Sequence, residues 1–159
     1  MGMLKITPCL WFDNNLEEAA EFYTSIFPNS SVETLGRATE AGPGEPGDLL
    51  YGTFVLDGNR FLGINGGPAF AFSEAVSFEV RCADQAEVDH YWSRLVDGGE
   101  ESQCGWLKDR YGLSWQIVPN RLYELIEHPD RAIATAATTA MYGMRKIIVA
   151  DLEAAVAKL

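Results

Sequence analysis

The side chains able to do chemistry in this chain sit in two short alternating runs, Ser77-Phe78-Glu79-Val80-Arg81 and Leu113-Ser114-Trp115-Gln116-Ile117-Val118. In a strand, a period of two sends successive side chains to opposite faces. Ser77, Glu79 and Arg81 therefore share one face, and so do Ser114 and Gln116, with Val118 beside them. Leu113, Trp115 and Ile117 point the other way, into an apolar core. A hydroxyl, a carboxylate, a guanidinium and an amide in one polar wall can hold a ligand by hydrogen bonds. Trp106, two residues before Lys108, is either a core residue or an aromatic wall of the same face. His90 lies beside a buried helical stripe and His128 stands at a helix boundary before Pro129, so both histidines read as structural. Cys104 has no histidine near it in sequence and no activating charge, and reads as a packed thiol.

The elements that position these residues follow from the same periodicities. Gly105–Lys108 and Leu113–Val118 flank Asp109-Arg110-Tyr111-Gly112, whose Asp and Gly suit a turn with a side-chain bond and a positive φ, so the pair reads as a hairpin. Leu4–Phe12 is a β-favouring run with Pro8 inside it, which places it near a sheet edge. Asn15-Leu16-Glu17-Glu18 has the reciprocal capping pattern that opens a helix, with Leu16, Ala19, Ala20, Tyr23, Ile26 and Phe27 at helical spacing before Pro28-Asn29. Val32–Arg37, Leu49–Leu56 and Phe61–Asn65 are strands, the last two joined by Asp57-Gly58-Asn59-Arg60. Residues 41–48 are too rich in Gly and Pro for either regular element and are expected to be a mobile loop.

From residue 75 the order begins again. Ala75–Cys82 is a strand, and Asp84-Gln85-Ala86-Glu87 is a second capping pattern opening a helix that buries Val88, Tyr91, Trp92 and Leu95. After Gly98-Gly99 come a short strand and the hairpin. Aligning Asn15 with Asp84 sets Phe22-Tyr23 over Tyr91-Trp92 and Ile26 over Leu95, so each half reads strand, helix, three strands, the pattern of a duplication. In the remainder, Leu122, Leu125 and Ile126 form an apolar helical side and Pro129-Asp130 opens an Ala-rich helix. Met144–Ala150 is β-branched, and Asp151 is placed as the cap of a last helix. This tail is too apolar to stay solvated and should pack on the sheet or on a second subunit.

At 159 residues with 47% hydrophobic and 22% charged residues, the chain reads as one globular domain. A formal net charge of −11 repels phosphate backbones and argues against a nucleic-acid partner. No apolar stretch reaches the ~20 residues of a membrane helix. No secretory signal is visible, and three cysteines without CxxC spacing fit reduced thiols, so a cytoplasmic location is expected.

Several stretches together resemble the PhnB-like family of the vicinal oxygen chelate, or glyoxalase/bleomycin-resistance, superfamily. They are Ile6-Thr7-Pro8-Cys9-Leu10-Trp11-Phe12-Asp13, Glu18-Ala19 with Phe22-Tyr23, Phe27-Pro28-Asn29-Ser30, Asn65-Gly66-Gly67-Pro68, Ser77-Phe78, Cys104 to Asp109, and Ser114 to Pro119. In the tail, Met144-Arg145-Lys146 looks like the family's Met-Lys-Lys, while Ile148 replaces a usual acid. The resemblance implies an α+β fold in which two βαβββ modules, 4–66 and 75–119, form a curved eight-stranded mixed sheet around a cleft, followed by a helical tail over 120–159. It also implies a homodimer.

Metal-dependent members carry His on the first strand of each module and Glu on the last strand of the second. The matching positions here look like Pro8, Ser77 and Gln116. Proline offers no side-chain donor, and neutral hydroxyl and amide oxygens do not offset the charge of a divalent cation, so no metal and no cofactor are expected. The expected function is binding of a small, partly hydrophobic molecule in a cleft lined by Ser77, Glu79, Arg81, Trp106, Ser114 and Gln116. The alternatives are a metal-dependent lyase or dioxygenase, a scaffold whose cleft its own aromatics fill, and the 3-demethylubiquinone 3-methyltransferase that related sequences are named for. The last lacks its motif, because Gly63, Gly66 and Gly67 follow a hairpin strand and precede Pro68 rather than opening a helix after a parallel strand.

Overall fold

The computed structural model describes residues 5–41 and 44–159. Leu4, and with it the start of the first expected strand, lies outside them, as do Gly42 and Pro43 of the glycine-rich loop. The chain divides into two compact units, Met1–Ala71 and Phe72–Leu159.

The first unit runs β1 (Cys9–Phe12), α1 (Leu16–Thr24), β2 (Ser31–Arg37), β3 (Leu49–Leu56) and β4 (Asn59–Asn65). Its sheet has the order β1-β4-β3-β2, with β1 parallel to β4 and the other pairs antiparallel. As an edge strand, β1 tolerates the missing N–H of Pro8, whose carbonyl accepts from the Leu62 amide at 2.9 Å. Asp57 and Gly58 both take positive φ, as the tight β3–β4 turn requires. Helix α1 buries Leu16, Ala19, Ala20 and Tyr23, and the Tyr23, Phe54 and Phe61 rings stack in series in the core.

The capping expected from Asn15 is absent. Its side chain makes no cap bond, and the Leu16 amide donates instead to Asn65 Oδ1 at 2.9 Å. Asn65 also donates to the Leu49 carbonyl at 3.1 Å, so one amide at the end of β4 ties the helix start to β3. The glycines on either side of it have packing tasks as well. A Cβ on Gly63 would stand 2.1 Å from Leu16, and one on Gly66 would stand 2.0 Å from the Trp11 ring, whose Nε1 donates to the Gly67 carbonyl at 2.9 Å.

The second unit repeats the order as β5 (Ser77–Cys82), α2 (Gln85–Leu95), β6 (Glu100–Glu101), β7 (Trp106–Lys108) and β8 (Ser114–Pro119), and its sheet order β5-β8-β7-β6 matches the first position for position. The expected alignment of the halves holds at the core: Tyr23 and Trp92 are both buried, as are Ile26 and Leu95. Here the capping pattern does form. Asp84 Oδ1 accepts from the Glu87 amide at 3.0 Å, and Glu87 reaches back to the Ala83 amide at 2.7 Å. In the β7–β8 hairpin, Asp109 is buried. Its Oδ1 accepts from the Tyr111 and Leu113 amides at 2.8 and 3.1 Å, and its Oδ2 accepts from Trp115 Nε1 at 2.8 Å.

The tail continues as α3 (Asn120–Ile126), α4 (Arg131–Tyr142) and α5 (Val149–Val156). Asp130 caps α4 through the Ala132 amide at 2.8 Å, and His128 Nδ1 accepts from the Asp130 amide at 3.1 Å, a structural task at the helix boundary. His90 is exposed on α2. The β-branched Met144–Ala150 forms no strand; α5 already begins at Val149, and Asp151 lies inside its first turn rather than at its cap. The free amide of Val149 is satisfied from a distance, by Gln85 Oε1 of α2 at 2.8 Å, while Gln85 Nε2 donates to the Ile147 carbonyl at 3.1 Å. Leu122, Leu125, Ala137, Ile147 and Leu152 bury themselves against Val118 of β8, so the tail covers its own unit. Among the described residues no helix is long and apolar enough to cross a membrane.

Candidate functional site

The register of the second sheet sets the candidate residues in rows. Ser77 pairs with Ser114 and Ser114 with Lys108; Glu79 pairs with Gln116 and Gln116 with Trp106. Paired residues project from the same face, so Lys108, Ser114 and Ser77 form one row and Trp106, Gln116 and Glu79 the next, followed by Val118 and Arg81. The opposite face, with Trp115 and Ile117, packs under α2. Val118, expected beside the polar residues on an open face, is buried there by α3, α4 and α5, which close that end of the face.

Within the rows, Gln116 Nε2 donates to Ser77 Oγ at 2.9 Å, so these two positions converge. Glu79 accepts from the Tyr123 hydroxyl at 2.6 Å and meets Arg81 Nη1 at 3.5 Å. The Arg81 guanidinium lies over the Tyr123 ring at 4.1 Å and donates through Nε to Asn120 Oδ1 at 3.2 Å. The hydrogen bond to the Glu79 carboxylate, with burial, holds the Tyr123 hydroxyl above its ordinary pKa. These contacts draw Glu79 and Arg81 to α3, toward the tail.

Two recesses flank Trp106. One, of about 420 Å³, is lined by Trp106 and Gln116 of the sheet, Cys104 before it, and Tyr123, Met141 and Tyr142 of the tail. The other, of about 110 Å³, is bordered by Ser114, Lys108, Glu74 and Glu100. Lys108 is held by Glu74 at 2.5 Å, and that bond raises the pKa of the lysine and lowers that of the glutamate. Ser114 is 1% exposed, and among the described residues its hydroxyl has no partner. A larger recess in the first unit, about 790 Å³, is bordered by Asn14, Asp48, Asn65 and Gly67, and its Arg37 is already paired with Glu17 at 3.1 Å. Alternation identified the polar face but missed Tyr123 and the other tail residues. Their only signal in the sequence was helical spacing, which is equally the signal of a plain core.

Two βαβββ units of equal strand order, each with its first strand parallel to its last, define a glyoxalase/bleomycin-resistance fold. The family model described as 3-demethylubiquinone-9 3-methyltransferase matches residues 4–118, and the chain belongs to this PhnB-like family. The PhnB protein from Bacillus cereus, which carries the same methyltransferase name, is 35% identical over 73% of this chain and 99% of its own, with a TM-score of 0.67. A protein from Pseudomonas aeruginosa is 20% identical over 74% of this chain and 98% of its own, with a TM-score of 0.60. The fosfomycin resistance protein FosX from Listeria monocytogenes is 16% identical over 78% and 97%, with a TM-score of 0.56, and shows the shared fold. No curated protein matches the chain in sequence. The family match ends at Val118, so Met144-Arg145-Lys146, expected to share in it, lies outside, and α3, α4 and α5 follow the matched stretch.

Proposed function

We propose that this protein binds a small, partly hydrophobic molecule on the polar face of its second sheet, without a metal ion. The observation that carries the reading is the 420 Å³ recess in which Trp106 and Gln116 of that face meet the tail, a volume in the range of small-molecule sites. On the same face the Ser114 hydroxyl, buried beside the smaller recess, has no partner among the described residues, a cost of about 1–3 kcal/mol that a single water reaching it would remove. The 420 Å³ recess speaks against a scaffold whose cleft is filled by its own side chains.

The competing reading is a metal-dependent lyase or dioxygenase; a FosX structure from Listeria monocytogenes is complexed with Mn(II) and sulfate. Here Ser77 and Gln116 bond to each other with neutral side chains, a donor set suited to an organic ligand more than to a divalent ion. The methyl transfer in the family's description gains no support from the glycines, since Gly63 and Gly66 make room for Leu16 and Trp11. Metal analysis of protein purified without chelator tests the reading; a stoichiometric bound ion would overturn it. The converse test is Ser77→His with Gln116→Glu, which sets an imidazole and a carboxylate on adjacent strands. Calorimetry with Zn²⁺ or Ni²⁺ should show weak binding by the double variant and none by the native protein.

The same reading includes a homodimer in the cytoplasm. Phe70 and Val76, in the segment between the repeats, are 67% and 61% exposed and leave apolar area for a second copy to cover. The three cysteines are free thiols, as a reducing compartment would keep them. Light scattering at micromolar concentration should give twice 17.5 kDa; the monomer mass would remove the dimer from the proposal.

A further inference from the structure

The tail, which follows the family match, supplies about half of the wall of the larger recess: Leu122, Tyr123 and Ile126 from α3, Met141 and Tyr142 from the end of α4. The other half is Trp106, Gln116, Val118, Cys104 and Gln103. None of these side chains carries a charge at neutral pH, in a chain with a formal net charge of −11. Of the charges around it, Glu79 accepts from Tyr123, Arg81 donates to Asn120, and Arg145, whose carbonyl accepts from Gly105, pairs with Glu101. An ionised ligand would leave water here without a counter-charge, which is costly. Three aromatic rings, a thioether and a thiol instead favour a flat apolar body. Gln116 gives one end of its amide to Ser77, and the other end has no protein partner among the described residues, so it is open to a hydroxyl group.

We infer that the tail converts one end of the polar face into a pocket for an uncharged hydroxylated aromatic compound, its ring lying among Trp106, Tyr123 and Tyr142 and its hydroxyl on the free end of the Gln116 amide. This rests on the reading that the face binds a small molecule, and it adds the ligand's class and the tail as the part that selects it. It also gives the tail a task beyond covering Val118.

The test uses the full chain and 1-naphthol as probe, with 1-naphthoate as its anionic counterpart of the same ring size, both by titration calorimetry at pH 7. Naphthol should bind at least about tenfold more tightly than naphthoate, because only the anion must lose its hydration without a partner. Tyr142→Ala, at a side chain 69% exposed and so harmless to folding, should weaken naphthol about fivefold through the lost ring contact. Gln116→Leu should weaken it by a similar factor, whereas Thr135→Ala, exposed on α4 and away from the recess, should leave it unchanged. Naphthoate binding as well as naphthol, or no naphthol binding at all, would overturn the assigned ligand class. Naphthol binding that responds to Gln116→Leu and not to Tyr142→Ala would overturn the tail pocket and leave the polar-face reading standing. Binding indifferent to both variants would count against the two together.

Discussion

Asp109 offers the sharpest test of how the site's hairpin is held. Its buried carboxylate accepts hydrogen bonds from the Tyr111 and Leu113 amides of the turn and from the Trp115 indole. A hydrogen bond to a charged acceptor contributes about 1.5–3 kcal/mol, but donors sharing one carboxylate do not sum, and the Tyr111 end is half-exposed, so Asp109→Ala should cost about 3–5 kcal/mol. That is a large part of the ~5–15 kcal/mol that holds a domain together. Asp109→Asn keeps one oxygen for the turn amides but sets an NH₂ group against the indole N–H, for a loss of about 2 kcal/mol. Urea unfolding followed by circular dichroism measures both. The indole share is isolated by adding Trp115→Phe, which removes the opposed donor, so the Asn substitution should be milder in that background. A loss below about 1 kcal/mol for Asp109→Ala would refute the reasoning, as would an Asp109→Asn penalty equal in both backgrounds.

Further outcomes follow from the same contacts. Burial, aided by the charges of Glu87 and Asp84, pushes the Cys82 thiol from 9.0 up to about 12. A raised folded-state pKa contributes stability that is whole below pH 9 and lost as pH climbs toward 12, so Cys82→Ala should flatten the alkaline fall in stability. Native protein at pH 8 should be alkylated at exposed Cys9 and spared at Cys82; equal rates would contradict the burial. Gly66→Ala forces a methyl group into the Trp11 ring and should destabilise by about 1–3 kcal/mol. An unchanged denaturation midpoint would show that the indole moves aside freely.

The sequence by itself determined what depends on neighbours a few residues apart. Period-two alternation placed Ser77, Glu79, Ser114 and Gln116 on one face, and helical spacing placed Tyr23 and Trp92 at matching points of two repeats. Asp109 and Gly112 are turn residues because their bonds and backbone angles are local. What the tertiary structure decided involves partners far apart in the chain. Asn15 has a capping pattern as good as that of Asp84, yet Asn65, 49 residues on from Leu16, takes the helix amide. Gln85 caps α5 from 64 residues away, so no reading of Asp151 alone could place that helix start. Val118 alternates with the core residues and should face outward, but the tail folds onto it and turns an open end of the sheet into a wall. Tyr123 joins Glu79 across 44 residues for the same reason. Local periodicity states which side chains share a face; only the packed fold states what comes to cover it.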